Sequence, residues 1–250
     1  MKGIHLVMPM AGRGARFSEY GFDCPKPLID IYEKPFFYWA VESIYHFVDV
    51  VDITFVVLRE HVQNYGIEKN ILKLYPQAKI KIIDKILNGP VMTCMEAVME
   101  INDDNPILFN DCDHAFIARS FYSYARNITD DNIDGALLTF KSDNPIYSYV
   151  VFSDNGEVIG TVEKVVASSE AICGAYYFRN KDVFREAVSS YLVNCSYGEF
   201  YISGLYNEML ANGRRVVTFP LDEHISFGTP EEYEIVRNEH SLALIEAEHG

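Results

Sequence analysis

The stretch MPMAGRGARFSEYGFDCPKPLIDI, Met8 to Ile31, closes the first apolar run of the chain and sets Arg13, Arg16 and Lys26 around two glycines. Gly12 and Gly14 carry no side chains, so the backbone N–H groups beside them can close on an anion as a concave nest. The loop is not a Walker A, which needs G-x-x-x-x-G-K-[ST]. Nor is it the dinucleotide G-x-G-x-x-G, because Phe17 stands three places after Gly14. By itself such a loop also reads as a glycine-rich turn with solvated arginines. Pro25 and Pro27 shift that balance: they fix the backbone on both sides of Lys26 and so aim its side chain. A rigidly mounted lysine suits a fixed phosphate.

The chemical setting sharpens the point. The chain has 250 residues, with 21 Lys and Arg against 36 Asp and Glu, for a formal net charge of -15. That balance excludes nucleic-acid binding as the main role and gives no polybasic membrane-surface patch. Any phosphorylated ligand must then be met by local cations or a metal. The cysteines, Cys24, Cys94, Cys112, Cys173 and Cys195, are odd in number and show no C-x-x-C spacing, so neither zinc nor a disulfide framework is expected. Reduced thiols, no signal-peptide pattern and no membrane-spanning apolar run together predict a cytoplasmic protein.

Apolar runs rich in β-branched residues alternate with segments of helical period, as in parallel strands joined by crossover helices. Strands are expected near Gly3 to Met8, Ile53 to Leu58, Ala78 to Ile83 and Pro106 to Asn110. Helices are expected near Pro35 to Phe47, Glu60 to Leu74, Val91 to Ile101 and Arg119 to Asn127. Strands then follow at Gly135 to Phe140, Tyr147 to Phe152, Val158 to Glu163 and Ile172 to Phe178. The hairpin signal Asp154-Asn155-Gly156 makes this region mixed or antiparallel. Helices at Lys181 to Tyr191 and Glu199 to Ala211 and a strand at Arg215 to Phe219 precede a last helix with Thr229 as N-cap and Pro230 at its first position. One α/β domain over residues 1–250 is expected, with a nucleotide-binding half to about 115 and an acceptor-binding half beyond.

The run M-A-G-R-G-A-R-F, then seven residues, then P-K-P-L, resembles the signature of the sugar-1-phosphate nucleotidyltransferases, A-G-x-G-x-R-[LF] followed by P-K-P-[LM]. The resemblance implies a three-layer, mixed and mainly parallel α/β sheet of the Rossmann-like, glycosyltransferase-A type. It implies that Met10, Ala11, Gly12 and Gly14 meet the nucleotide, that Arg16 holds the triphosphate and that Lys26 binds phosphate during reaction. Arg13 occupies a variable position of the motif and counts as a further nucleotide contact. Asn88 and Gly89, before a helix, fall where the family reads the base.

"LFNDCDHAF" ends the fourth strand with Asp111 and Asp113 two apart, so both carboxylates of an extended segment can converge on one hard cation such as Mg²⁺. The family usually carries a metal-binding aspartate here, and the D-x-D form is similar to phosphocholine and phosphonate cytidylyltransferases. His114 reads as an exposed or satisfied loop histidine, and Cys112 as a core residue. Glu163-Lys164 resembles the family's E-K-P acceptor contact, with Val165 in place of proline. Gly174 in "AICGAYYF" and Glu199 in "GEFYIS" fall at further acceptor positions. At "DEHISFGTP" many members read W-x-D-x-G-T-P with a second metal aspartate, where this chain has Ser226. Either Asp111 and Asp113 supply the charge together, or Asp222 reaches in from upstream.

The resemblance therefore implies an Mg²⁺-dependent enzyme that joins an NTP to a sugar 1-phosphate, releases pyrophosphate and feeds polysaccharide synthesis with an NDP-sugar. A cytidylyltransferase acting on phosphocholine, a phosphonate or a similar phospho-compound is the alternative. A glycosyltransferase has no need of Arg16 and Lys26, and a silent binding module has only Ser226 in its favour. The expected partners are small molecules, with no nucleic acid or membrane, and a homo-oligomer is compatible.

Overall fold

The structure is a computed structural model that describes residues 2–128 and 132–248. The first half runs β1 (Ile4–Pro9), α1 (Ala15–Tyr20), the short hairpin β2 (Asp30–Ile31) and β3 (Lys34–Pro35), α2 (Phe36–Tyr45), β4 (Val50–Leu58), α3 (Arg59–Tyr65), α4 (Ile67–Leu74), β5 (Lys79–Ile83), α5 (Pro90–Val98) and β6 (Ile107–Asn110). Then come β7 (His114–Ile117), α6 (Arg119–Arg126), β8 (Gly135–Lys141), β9 (Ser148–Phe152), β10 (Val158–Glu163) and β11 (Glu170–Phe178). The chain finishes with α7 (Lys181–Asn194), α8 (Ile202–Ala211), β12 (Val216–Pro220), β13 (Glu223–Ser226), α9 (Pro230–Glu239) and α10 (Ala243–Glu248).

One nine-stranded sheet runs through both halves, in the order β10-β9-β11-β6-β1-β4-β5, with β8 pairing β11 and β12. In the first half β1 lies parallel to β4 and β6, and β4 parallel to β5. β11 then joins β6 in the antiparallel sense and begins the mixed half. The β9–β10 hairpin turns where Asn155-Gly156 lies, and Gly156 takes φ 79°. Alternation along β1 explains the three layers. Leu6 and Met8 pack with α2, α6 and α9 on one face, while Val7 packs with α5, α7 and α8 on the other. A strand covered on both faces must be apolar throughout, as β1 is.

Three local differences from the expected elements have physical causes. The single helix expected over Glu60 to Leu74 is two, because Gly66 adopts φ 61° between α3 and α4. The helix expected from Glu199 starts at Ile202, and Phe200 instead lays its backbone against Gly89. The segments at β7 and β13 pair antiparallel and carry His114 and Ser226 opposite each other. Thr229 caps α9 as expected, and Glu232 completes a capping box. No helix among the described residues is long and apolar enough to cross a membrane.

Candidate active site

The loop after β1 is pinned at its start by the Met10 N–H, which donates to Val56 O at 2.9 Å. Gly14 has φ 58°, and a Cβ there would lie 3.1 Å from the Lys26 Cβ, so glycine lets loop and lysine meet without strain. Lys26 opens a 3₁₀ turn behind Pro25, and its Nζ ion-pairs with Asp113 Oδ2. Burial pushes the Lys26 ammonium down, but Asp113 and its neighbours outweigh this and hold it above its ordinary value. The glycine loop, the proline-framed lysine and the D-x-D corner therefore converge, as the sequence predicts.

Asp111 and Asp113 differ in electrostatics although only Cys112 separates them. The Asp111 N–H donates to Gly174 O at 2.9 Å, and a Cβ on Gly174 would lie 2.8 Å from Asp111 Oδ2. Gly174, at φ 99°, thus makes room for the carboxylate. Burial, then the charges of Asp113 and Glu163, push Asp111 up to about 7, with Lys26 offsetting part of the effect. Asp113 is held below its ordinary value: burial acts upward, and the Lys26 charge and hydrogen bond outweigh it. Two carboxylates thus share one lysine, leaving a surplus of negative charge that a divalent cation fits. No group of three or more His, Cys, Asp or Glu suited to a metal exists among the described residues. The donor set suits Mg²⁺, which takes one or two carboxylates and completes its shell with water and phosphate oxygens.

The opposite wall is built by β13 and α9. The Phe227 N–H donates to Asp113 O at 3.0 Å, and a Cβ on Gly228 would lie 2.7 Å from Asp113 Oδ2. Ser226 Oγ donates to Glu232 Oε2 at 2.9 Å, beside the Gly228 and Thr229 N–H groups at 3.0 Å each. Tyr147 OH donates to Glu232 Oε1 at 2.6 Å. Asp222, one of the two expected sources of a second metal carboxylate, accepts instead from the Arg119 N–H at 2.8 Å, at the end of β13 remote from Asp113. His114 is not a loop residue: it is buried on β7, its Nε2 lies 3.0 Å from Asn110 Oδ1, and burial lowers it to about 4. His224 is likewise lowered to about 3 by burial, so both rings are neutral near pH 7.

Three cavities meet at this corner. A cleft of about 320 Å³ is lined by Arg16, Lys26, Asp111 and Asp113 on one side and by Glu163, Lys164, Gly174, Tyr147 and Tyr201 on the other. Glu163 Oε1 accepts from Ser148 Oγ at 2.6 Å and from Ser203 Oγ. Lys164 takes φ 54° and holds its Nζ 5.4 Å over the Tyr201 ring. A second cavity, of about 530 Å³, is lined by Ala11, Gly12, Arg13, Asn88, Gly89 and Glu199 among others. A third, of about 260 Å³, shares Gly12 with the second and Lys26, Asp111 and Asp113 with the first, and also includes Met10 and Gly14. Most of the expected residues therefore line one continuous groove on the expected sides. Glu199 is the departure: it lines the glycine-loop cavity and not the cleft that holds Glu163 and Lys164. Tyr147, Tyr201, Ser148 and Glu232 were not read from sequence, because only the tertiary fold brings them to the cleft.

A groove with a glycine loop at one end, a carboxylate pair with a lysine at its middle and a mixed polar cleft at the other suits transfer between two phosphorylated ligands. The profile of the Nucleotidyl transferase family matches residues 6–238, and the chain belongs to that family. Among curated relatives it is similar to a 2-C-methyl-D-erythritol 4-phosphate cytidylyltransferase of Fusobacterium nucleatum, 22% identical over 163 residues, which is 64% of this chain and 66% of that protein. It is also similar to the bifunctional protein GlmU of Streptococcus gordonii, 31% identical over 109 residues, 39% of this chain and 24% of that one. The chain thus spans just under two thirds of the first relative's length and about a quarter of the second's. Among solved structures, a nucleoside-diphosphate-sugar pyrophosphorylase of Vibrio cholerae RC9 superposes with a TM-score of 0.78 at 23% identity, covering 93% of this chain and 99% of that one. An inositol-1-phosphate CTP transferase of T. maritima gives 0.76 at 16%, covering 98% and 97%. At such identities these two establish the fold.

Proposed function

We propose that the protein transfers a nucleotidyl group from an NTP to the phosphate of a sugar 1-phosphate, releasing pyrophosphate and forming an NDP-sugar. The observation that carries this reading is the meeting of Lys26, Asp111 and Asp113 where the glycine-loop cavity and the Glu163–Lys164 cleft join. An acceptor phosphate oxygen attacks the α-phosphorus in line and pyrophosphate leaves, so no protein nucleophile is required. Arg16 and Lys26 are cations placed in advance where charge develops, and placed charges need not reorganise during reaction. Asp111 and Asp113 would hold Mg²⁺, which when bound neutralises phosphate oxygens. Glu163, fixed by two serine hydroxyls, can accept from an acceptor hydroxyl, and Lys164 can meet the acceptor phosphate.

A second reading, a cytidylyltransferase for a non-sugar phospho-compound, is favoured by Ser226 in place of the second aspartate and by the cytidylyltransferase relative. One experiment separates the two: incubation with Mg²⁺ and a grid of NTPs and phosphorylated acceptors, with pyrophosphate as the readout. Release with a sugar 1-phosphate supports the first reading, and release only with CTP and a non-sugar acceptor supports the second. Arg16→Ala should lower turnover about 100-fold in either case. Full activity in that variant would remove Arg16 from the site.

A further inference from the structure

Glu199 stands where an acceptor contact was expected and lies instead in the glycine-loop cavity, which on the nucleotidyl-transfer reading is the nucleoside cavity. Its position is fixed by the next residue. The Val91 N–H donates to Phe200 O at 3.1 Å. Gly89, at φ 86°, lies so close to Phe200 that a Cβ would sit 2.5 Å from its backbone nitrogen. The Glu199–Phe200 backbone is therefore clamped onto the segment expected to read the base, although the two are distant in sequence. Pro90, next along, lines both the nucleoside cavity and the acceptor cleft. Glu199 consequently lines this cavity together with Asn88, Gly89 and Pro90, and Ile86 and Leu87 also line its wall. In a nucleotide the group between base and α-phosphate is the ribose.

The Glu199 side chain is exposed to this cavity and has no hydrogen bond or ion pair among the described residues. An ionised carboxylate only accepts hydrogen bonds, and a ribose 2′,3′-diol offers two donors at a matching spacing. Carboxylates of dinucleotide-binding folds use the same chemistry on ribose. We infer that Glu199 binds the ribose hydroxyls of the NTP and selects a ribonucleotide over its 2′-deoxy counterpart. This rests on the nucleotidyl-transfer reading of the groove. Arg13, in the same cavity, remains available to the phosphates and takes no part in the selection.

The test compares each ribonucleoside triphosphate with its 2′-deoxy form, UTP being paired with dUTP, for the wild type, Glu199→Gln and Glu199→Ala. Equilibrium binding with Mg²⁺ and kcat/KM by pyrophosphate release are both measured. The wild type should favour the ribonucleotide by about 10- to 100-fold, the range of one charge-assisted hydrogen bond. Both variants should bring the two forms to within about threefold, while the acceptor KM stays unchanged. The inference is overturned if the wild type binds both forms equally or prefers the 2′-deoxy form, or if the preference survives in Glu199→Ala. It is equally overturned if that variant changes only discrimination among bases, or only the acceptor KM. Failure of every NTP and acceptor pair to release pyrophosphate would strike the transfer reading instead, and the binding ratio would still decide the role of Glu199.

Discussion

The two ends of β1 carry charge clusters built from similar residues, and they resolve their charge differently. At the N-terminal end, His5 is buried between Asp52 and Asp103, with 2.8 Å from Nδ1 to one carboxylate and 2.8 Å from Nε2 to the other. Lys79 then pairs with Asp52 and Lys181 with Asp104 nearby. Both ring nitrogens face acceptors, so the imidazolium is the favoured form. Burial pushes His5 down, but the two carboxylates outweigh it and raise it above its ordinary value. At the C-terminal end one lysine serves two carboxylates, and Arg13 and Arg16 have no ion pair among the described residues. The first cluster closes within the chain and stabilises the fold. The second is left open, at a stability cost, and its surplus charge is what a ligand completes.

Substitutions at the two ends should therefore separate stability from chemistry. Lys26→Met should have the largest effect, because it removes the cation from a pair of largely buried carboxylates and from the phosphate path together. Unfolding free energy should fall by about 1–3 kcal/mol, less than for a fully buried pair because the Lys26 and Asp113 side chains are 23% and 26% exposed. Turnover should fall more than about 100-fold. Urea unfolding and pyrophosphate release check the two effects, and a variant that loses only stability would make Lys26 a structural lysine.

His5→Gln should act on stability alone, by about 1–2 kcal/mol after discounting for the half-exposed Asp103. The sign follows from the raised folded value. The contribution is fully present below the ordinary value of 6.5 and is lost as pH rises through the folded value. The gap between wild type and variant should accordingly be widest below the ordinary value of 6.5 and narrow as pH rises above it. A gap that grows with pH would contradict the imidazolium assignment. Tyr147→Phe should be smallest: it removes the 2.6 Å hydrogen bond to Glu232 and should raise the acceptor KM a fewfold, through about 1 kcal/mol, with the NTP KM unchanged.

The same contrast governs what the sequence could disclose. The loop chemistry was legible because the glycines, Arg16 and the proline-framed Lys26 lie within one stretch, and because Asp111 and Asp113 follow the two-residue period of an extended segment. The acceptor wall was not. Tyr147 and Glu232 are 85 residues apart and meet only once β13 has paired with β7. β7 itself carries no alternation, since all four of its residues are buried, so no period marked it as a strand. Glu199 was drawn toward the acceptor by its order along the chain. The close fit of Gly89 against Phe200, invisible to any local pattern, puts it in the cavity lined by Gly12, Asn88 and Gly89.

The central claim is that the open cluster holds charge for chemistry at the expense of the fold, and Asp111→Asn tests it most directly. Its carboxylate is disfavoured by burial and by Asp113, so the neutral amide should raise the unfolding free energy by about 1–2 kcal/mol at neutral pH. Pyrophosphate release with the productive NTP and acceptor should fall about 100-fold or more in the same protein. An Asp111→Asn protein that keeps full turnover, or that loses stability as well as activity, would contradict the account.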